Sequence, residues 1–328
     1  MFQVYIQEAD LKIQAYEFHQ RKGLPYELKL YLAERRIDEW KDAHDGQVYV
    51  SFSGGLDSTV LLHIVRKVLG DDIPAVFSNT GLEYPELVEF VKTFDNVTII
   101  KPDMPFNQVI KKYGYPLVSK ETALKVRKLR HMNLTPRYRN MLLNGDERGK
   151  SFMLAKKWQF LVDAPFDTSE QCCNIMKKKP FKHYFKETGR YPFIGITQDE
   201  GMMRERQYNK TGCNVYDSNT PKSQPLGFWT KQDTLRYVVE NNLEIASVYG
   251  NIEQDYKGNY YTTGEQRTGC MFCAFGCHME QCPNRFQRMA KTHPKQYSYC
   301  INQLGLGKIL AYIGVDYLPL GDQLSFYD

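Results

Sequence analysis

The sequence predicts an α/β fold: a doubly wound, mostly parallel sheet carrying a basic helical insertion, followed by a cysteine-bearing, helical C-terminal region. Three observations predict it. Short β-rich runs alternate with helix-period segments from Val48 to about Tyr113. A glycine pair joins the first such strand to the first such helix. A chain of 328 residues, 42% hydrophobic and 25% charged, has the length and composition of a globular protein with a full core. Strands spaced by helices argue parallel pairing with both sheet faces covered, which places ligands at the carboxyl ends of the strands.

Taken in order, residues from about Glu8 to Trp40 read as charged helix, and 1–45 as an N-terminal helical segment. The α/β part is expected over 46–250. Val48–Phe52 alternates as a buried strand and Thr59–Val65 as an amphipathic helix. Ala75–Ser78 is a second strand, followed by Asn79–Glu86 and a helix through Phe94. Asn96–Ile100 is a third strand, and Phe106–Tyr113 a short helix. The stretch 119–160 is helical in pattern and basic, an insertion beside the site. The sheet resumes at Phe193–Ile196, and Thr230-Lys231-Gln232-Asp233 is a capping box opening a helix through Val239. Residues 250–268, rich in Gly, Tyr and Asn, read as loop. The segment 251–328 carries cysteines and then helices near 284–292 and 295–313.

The chemistry concentrates in Ser53-Gly54-Gly55-Leu56-Asp57-Ser58. A strand, a small-residue turn and a helix start form an anion cradle. Glycines let backbone N–H groups approach an oxyanion, and the helix dipole favours negative charge there. Ser53 and Ser58 add hydroxyl donors. Asp57 is compatible with phosphate only through a cation, which points to Mg²⁺ shared by a carboxylate and a polyphosphate. No G-x-x-x-x-G-K-[ST] loop is present.

The net charge of +5 is unevenly placed. Lys125, Arg127, Lys128, Arg130, Arg137, Arg139, Arg148, Lys150 and Lys156 face only Glu121, Asp146 and Glu147 between Lys120 and Lys157. Lys177, Lys178 and Lys179 form a second run, with Lys182, Lys186 and Arg190 beyond it. Such runs are solvated faces or surfaces that receive a polyanion, from a nucleotide to a nucleic-acid backbone. No segment approaches 18 consecutive apolar residues, and the first residues carry acids and no apolar leader, so the cytoplasm is the expected compartment. In that compartment eight cysteines argue for metal or redox chemistry rather than disulfides. Two ligand sets are open from the residues alone. Cys172, Cys173, Cys270 and Cys273 suit a [4Fe–4S] cluster; Cys270, Cys273, Cys277 and Cys282, with His278, suit Zn²⁺. Cys213 and Cys300 read as core residues, and His63, His183 and His293 receive no role.

Ser53–Ser58 resembles the SGGxDS pyrophosphate-binding loop of the ATP pyrophosphatase (PP-loop) superfamily, whose adenine nucleotide alpha hydrolase-like fold is Rossmann-like. Members cleave ATP between the α and β phosphates and adenylate a substrate. Within it the chain resembles the phosphoadenosine-phosphosulfate reductase family from about residue 48 to 273. Asn79-Thr80-Gly81-Leu82-Glu83 is similar to that family's second, nucleoside-side motif. Cys172-Cys173-Asn174-Ile175-Met176-Lys177 is similar to its CC-x3-K, and Gly195–Arg204 to its G-x-R-x-x-E-S-x-x-R. Pro225–Trp229 matches a P-L-x-x-W, and Gly269–Cys273 the G-C-x-x-C of iron–sulfur members. The resemblance implies a [4Fe–4S] cluster on Cys172, Cys173, Cys270 and Cys273. It also implies nucleotide contacts from Ser53, Gly54, Gly55, Asp57, Ser58, Asn79, Thr80, Gly81 and Glu83.

Three departures shape the functional expectation. Dedicated sulfonucleotide reductases carry a degenerate phosphate loop, whereas this one is intact. Their C-terminal E-C-G-L-H has no counterpart after Cys300, and their arginine and serine are Thr197 and Gly201 here. An intact ATP·Mg²⁺ site beside a cluster resembles enzymes of ATP-dependent sulfur incorporation into nucleic acids, with Asp57, Lys177 and Arg204 as catalytic candidates and Arg267 as a further cationic contact. The expected partners are an adenine nucleotide, a nucleic-acid acceptor met through 119–160, and a sulfur donor or thiol reductant protein, with no membrane. The competing readings are a sulfonucleotide reductase using an external thiol, and a non-catalytic nucleotide- or nucleic-acid-binding regulator.

Overall fold

The computed structural model describes residues 15–147, 149–198, 208–216 and 218–320, which divide into two compact units. Residues to Asn79, with 83–101 and 181–268, form the first. Thr80–Leu82, 102–180 and the chain from Gly269 form the second.

The first unit is built on a six-stranded sheet. Its strands are β1 (Val48–Ser51), β2 (Ala75–Ser78), β3 (Val97–Ile100), β5 (Tyr191–Ile194), β6 (Asn214–Val215) and β7 (Lys222–Ser223), in the order β3-β2-β1-β5-β7-β6. All neighbours pair in parallel except β6 with β7. Val50 lies opposite Ala75 on one side and Phe193 on the other. The chain therefore builds outward from β1 to β3, then returns to the opposite side of β1. That reversal makes the β1–β5 border a topological switch point, where open α/β sheets place their ligands.

Both faces of β1 are covered, so Val48, Tyr49 and Val50 are all buried rather than alternating with exposed residues. Tyr49 packs against Tyr184 and Phe181 of the helix Lys179–Thr188, with Val76 beside them. The helix Leu56–Leu69 lies against β1 and β5 and buries Val60, Leu61, Ile64 and Val65. The predicted capping box is present: Thr230 caps the helix Lys231–Glu240, and Asp233 returns the bond to the Thr230 amide at 2.7 Å. The same carboxylate takes the buried Lys29 ammonium at 2.7 Å, tying the helix Tyr26–Ala43 to that first turn. Residues 250–268 are more ordered than a loop: Ile252–Gln254 and Tyr260–Thr262 pair as an antiparallel hairpin. The Gly and Asn content that obscured it supplies the turn, where Gly258 has φ +80°.

In the second unit Leu117–Val118 (β4) pairs in parallel with Ala274–Phe275. The basic insertion forms the helices Lys120–His131 and Pro136–Asn144, each opened by a hydroxyl cap, Ser119 and Thr135. Among the described residues no helix is long and apolar enough to cross a membrane.

Candidate functional site

At the carboxyl end of β1 the chain turns through Ser53–Gly55 into the 14-residue helix Leu56–Leu69. Gly54 sits at φ +72°, and a Cβ there would meet Val91 Cγ2 at 3.0 Å and the Leu87 carbonyl at 3.1 Å. Glycine is required for both reasons. The two serines close the turn on itself. Ser53 Oγ and Ser58 Oγ are 3.0 Å apart, the Ser53 amide donates to Ser58 Oγ at 3.2 Å, and the Gly55 amide donates to Ser53 Oγ at 3.3 Å. Ser58 and Thr59 both donate back to the Gly55 carbonyl, at 2.9 and 3.0 Å. The result is a compact ring of hydroxyls and amides at a helix N-terminus, on the switch-point edge of the sheet.

Asp57 is half-buried in the first turn of that helix and is held from two other elements. Thr234, on the capping-box helix, donates to Oδ1 at 3.1 Å, and Thr197, just past β5, donates to Oδ2 at 3.4 Å. The Thr197 that departs from the family motif thus serves the loop itself. Gly195, at the end of β5, lies so close that a Cβ would stand 2.8 Å from Ser58 Cα and 2.9 Å from both the Asp57 carbonyl and the Ser58 amide. Gly195→Ala must therefore separate β5 from the helix start. The expected loss is about 1–3 kcal/mol of stability, together with weaker nucleotide binding. Urea unfolding and titration of the same preparation check it, with Gly23→Ala, whose Cβ would meet only ordinary contacts, as the control.

Tyr249 was not legible as a loop residue. Its hydroxyl accepts the Leu56 amide at 3.2 Å and pairs with Thr268 Oγ1 at 2.6 Å, across 193 positions of sequence in the first case. Burial raises the phenol above its ordinary value against the hydrogen bonds with Thr268 and Leu56, and the Asp57 carboxylate adds to the rise. The phenol is therefore protonated at neutral pH. No periodicity or motif marks Tyr249; only the fold brings it there.

The second motif follows β2. Asn79 continues the sheet through its amide to the Ile100 carbonyl at 2.9 Å, and belongs with Glu83 to the first unit. Thr80, Gly81 and Leu82 belong to the second. There Thr80 Oγ1 accepts the Leu82 amide at 3.2 Å, and Met271, inside the C-x-x-C, donates its amide to the Leu82 carbonyl at 2.8 Å.

All eight cysteines are free thiols. Burial pushes the Cys172 thiol well up, and Cys173, Cys270 and Cys273 push it further while Lys177 opposes them. Cys273 is raised mainly by burial, opposed by a hydrogen bond from the Phe275 amide and by Arg285, with Lys177 acting the same way. Cys172 and Cys173 lead into a wide π-type turn over Asn174–Lys178, which carries Lys177. Among the described residues no group of three or more His, Cys, Asp or Glu is gathered to hold a metal ion. The two observations are compatible. These sulfurs act on one another electrostatically but do not converge on one point, as four thiolates at about 2.3 Å from a single Zn²⁺ would. The local zinc set fares no better: Cys277 donates to the Ala274 carbonyl at 3.0 Å and Cys282 is exposed.

Much of the basic insertion is held by specific partners. Arg127 grips Glu170 through two bonds of 3.0 and 2.7 Å, and Arg130 donates to the Ala164 and Phe166 carbonyls at 2.8 Å. Lys128 meets the Tyr138 hydroxyl at 2.9 Å. Arg130 also pairs with Asp167 at 3.3 Å, while Lys120, Arg137, Lys150, Lys156 and Lys157 are exposed. Arg204 and Arg148 lie outside the described residues, as does 199–203 of the motif that Arg204 closes.

The model of the phosphoadenosine phosphosulfate reductase domain matches residues 47–159 and 147–280. Two uncharacterized proteins of Methanocaldococcus jannaschii are similar. One is 25% identical over 78% of this chain and 47% of its own length, the other 35% identical over 69% and 36%. The matches thus span less than half of either relative. Among solved structures, a phosphoadenylyl-sulfate reductase of Candida auris in phosphate complex aligns with TM-score 0.39 and 16% identity, covering 75% of this chain and 98% of that one. An FMN adenylyltransferase of Candida glabrata aligns at 0.39 and 12%, covering 72% and 65%. A U34-tRNA thiolase of Methanococcus maripaludis with its [4Fe–4S] cluster aligns at 0.35 and 14%, covering 92% and 86%. The family model covers well over half of the sequence and spans both the loop and the C-x-x-C, and the chain belongs to the phosphoadenosine phosphosulfate reductase domain family.

Proposed function

We propose that the chain is an ATP-dependent enzyme of sulfur chemistry, binding ATP·Mg²⁺ at Ser53–Ser58 and acting on a nucleic-acid acceptor. The observation that carries this reading is the cradle itself: two serine hydroxyls, the turn's amides and a 14-residue helix start, on the switch-point edge of a parallel sheet. Donors of this kind match the non-bridging oxygens of a pyrophosphate and gain most where charge builds on the departing group. An acceptor oxygen attacks the α-phosphorus, the bond to the bridging oxygen breaks, and pyrophosphate leaves with that electron pair. The acceptor is then adenylated, and its oxygen becomes the leaving group when sulfur replaces it. Asp57, fixed by Thr197 and Thr234, is the carboxylate for the cation; Mg²⁺ offsets phosphate charge.

We read Cys172, Cys173, Cys270 and Cys273 as ligands of a polynuclear cluster: all four are free thiols, and the other three push the Cys172 thiol up while the Lys177 cation opposes them. These thiols would hold a [4Fe–4S] group, which would supply electrons or a site for sulfur. Lys177 offsets thiolate charge, the role its position supports, and Asn79, Thr80, Gly81 and Glu83 are proposed on the nucleoside side. Exposed lysines of 119–160 receive the acceptor's phosphates. The second reading, sulfonucleotide reduction with an external thiol, is favoured by the family match itself. Product analysis after incubation with ATP·Mg²⁺ and total RNA or DNA separates them. Pyrophosphate is expected from the adenylation step, and AMP once sulfide is added as the sulfur donor. Orthophosphate as the only product contradicts the proposal, and thiol-dependent sulfite from a sulfonucleotide puts the second reading first.

A further inference from the structure

The turn at Gly55 has a third wall that neither the loop motif nor the family motifs supply. A Cβ on Gly55 would lie 3.3 Å from Ser53 Oγ, 3.3 Å from the Tyr249 hydroxyl and 3.5 Å from Thr268 Oγ1, so three hydroxyls converge on one side of this residue. Tyr249 is almost wholly buried, at 3% exposure, yet its hydroxyl bonds to the functional loop rather than to the scaffold around its ring. The amide it engages belongs to Leu56, the first residue of the helix, where backbone donors lack partners within the helix and are those an oxyanion takes.

The segment that carries these hydroxyls is stiff. Tyr249 ends the single turn Ser247–Tyr249, and its carbonyl accepts the Gly264 amide at 2.8 Å, while the Val248 carbonyl accepts Glu265 at 2.9 Å. Those bonds continue the ladder of the hairpin Ile252–Gln254 and Tyr260–Thr262. Gly264 is packed so closely that a Cβ there would overlap the Val248 carbonyl and the Tyr249 backbone. The braced turn at Val248–Tyr249 thus presents the Tyr249 hydroxyl, with Thr268 Oγ1 2.6 Å from it, to the amide end of the phosphate turn.

We propose that Tyr249 and Thr268 are positioning residues of the phosphate site: their paired hydroxyls take the Leu56 amide and so fix the Gly55 turn, whose remaining donors receive a pyrophosphate group. The proposal rests on the reading of Ser53–Ser58 as a nucleotide phosphate site. The phenol has one proton and two near partners, and it accepts from Leu56. Either hydroxyl of the Tyr249–Thr268 pair can donate to the other, and the phenol stays neutral in both arrangements.

Calorimetric titration of Mg·pyrophosphate and of ATP·Mg²⁺ into wild type, Tyr249→Phe, Thr268→Val and Thr268→Ser tests it, with inhibition of nucleotide binding by adenosine as the phosphate-free readout. Tyr249→Phe keeps the buried ring and removes one oxygen. It and Thr268→Val should each weaken pyrophosphate binding about tenfold or more, the loss expected for one hydrogen bond supporting a charged group. Adenosine inhibition should not move, and Thr268→Ser should retain wild-type affinity. Equal pyrophosphate affinity in wild type, Tyr249→Phe and Thr268→Val overturns the positioning role alone. Tighter binding by Tyr249→Phe also overturns it, since the hydroxyl would then be a plug. A wild-type protein that binds neither pyrophosphate nor ATP overturns the loop reading and this proposal together. Should Tyr249→Phe fail to fold, the Thr268→Val and Thr268→Ser pair decides by the same measurement.

Discussion

Asp57→Ala and Asp57→Asn are both expected to abolish Mg²⁺-dependent pyrophosphate release from ATP, by at least about 100-fold, the scale on which removing one key electrostatic group acts. The carboxylate sits in the first turn of the helix that opens the cradle, where its charge opposes phosphate unless a cation lies between them. Thr234 and Thr197 hold its two oxygens at 3.1 and 3.4 Å, so swinging away to relieve that repulsion takes the acceptor from Thr197 and leaves Thr234 only the Thr230 carbonyl at 3.5 Å. The two variants separate function from folding. Alanine removes the acceptor for Thr197 and Thr234, at 3% and 1% exposure, and should cost about 1–3 kcal/mol of stability. Asparagine keeps one acceptor oxygen, so the fold should lose less while the cation ligand is still gone. Activity measured alongside urea unfolding checks this. Release that survives in either folded variant removes Asp57 from the site, and EDTA should reduce wild type to the variants' level.

The second large effect concerns the thiols. Replacing Cys172, Cys173, Cys270 or Cys273 singly by serine should lower iron and acid-labile sulfide to a small fraction of the wild-type content and remove visible absorption in anaerobic preparations. Cys213→Ser and Cys300→Ser should keep both. The contrast follows from surroundings. Cys173, Cys270 and Cys273 push the buried Cys172 thiol up while Lys177 opposes them. Cys213 instead meets the Tyr208 hydroxyl at 3.3 Å, and burial alone pushes Cys300 up to about 12. Iron-free wild type carrying stoichiometric zinc contradicts the cluster.

The fold was legible where local chemistry and periodicity agree. Ala75–Ser78 and Phe106–Tyr113 form with the bounds their patterns imply, because one is a fully buried strand and the other ends at a glycine with φ +97°. The Thr230–Asp233 capping box is likewise a local signal and stands as read. The hairpin at 252–262 was not legible, since its residues are largely exposed and show no apolar alternation. At the site the glycines and serines of the loop announced themselves by spacing. Their supports did not: Thr197, Thr234, Tyr249 and Thr268 come from elements 140 to over 200 positions away, where only tertiary packing makes a hydroxyl relevant. The basic insertion shows the converse. Its charge was plain in sequence, but which cations are committed to Glu170 or to backbone carbonyls depends on how the helices lie.

The most direct test observes the loop while nucleotide is added. Backbone amide resonances of Ser53 to Ser58, followed by NMR during titration with ATP·Mg²⁺, should shift progressively and saturate, with pyrophosphate reproducing most of the change and Asn214 and Val215 in β6 unmoved. Saturable ATP binding that leaves Ser53 to Ser58 unshifted, or no binding by any resonance, contradicts the assignment of this turn as the phosphate site.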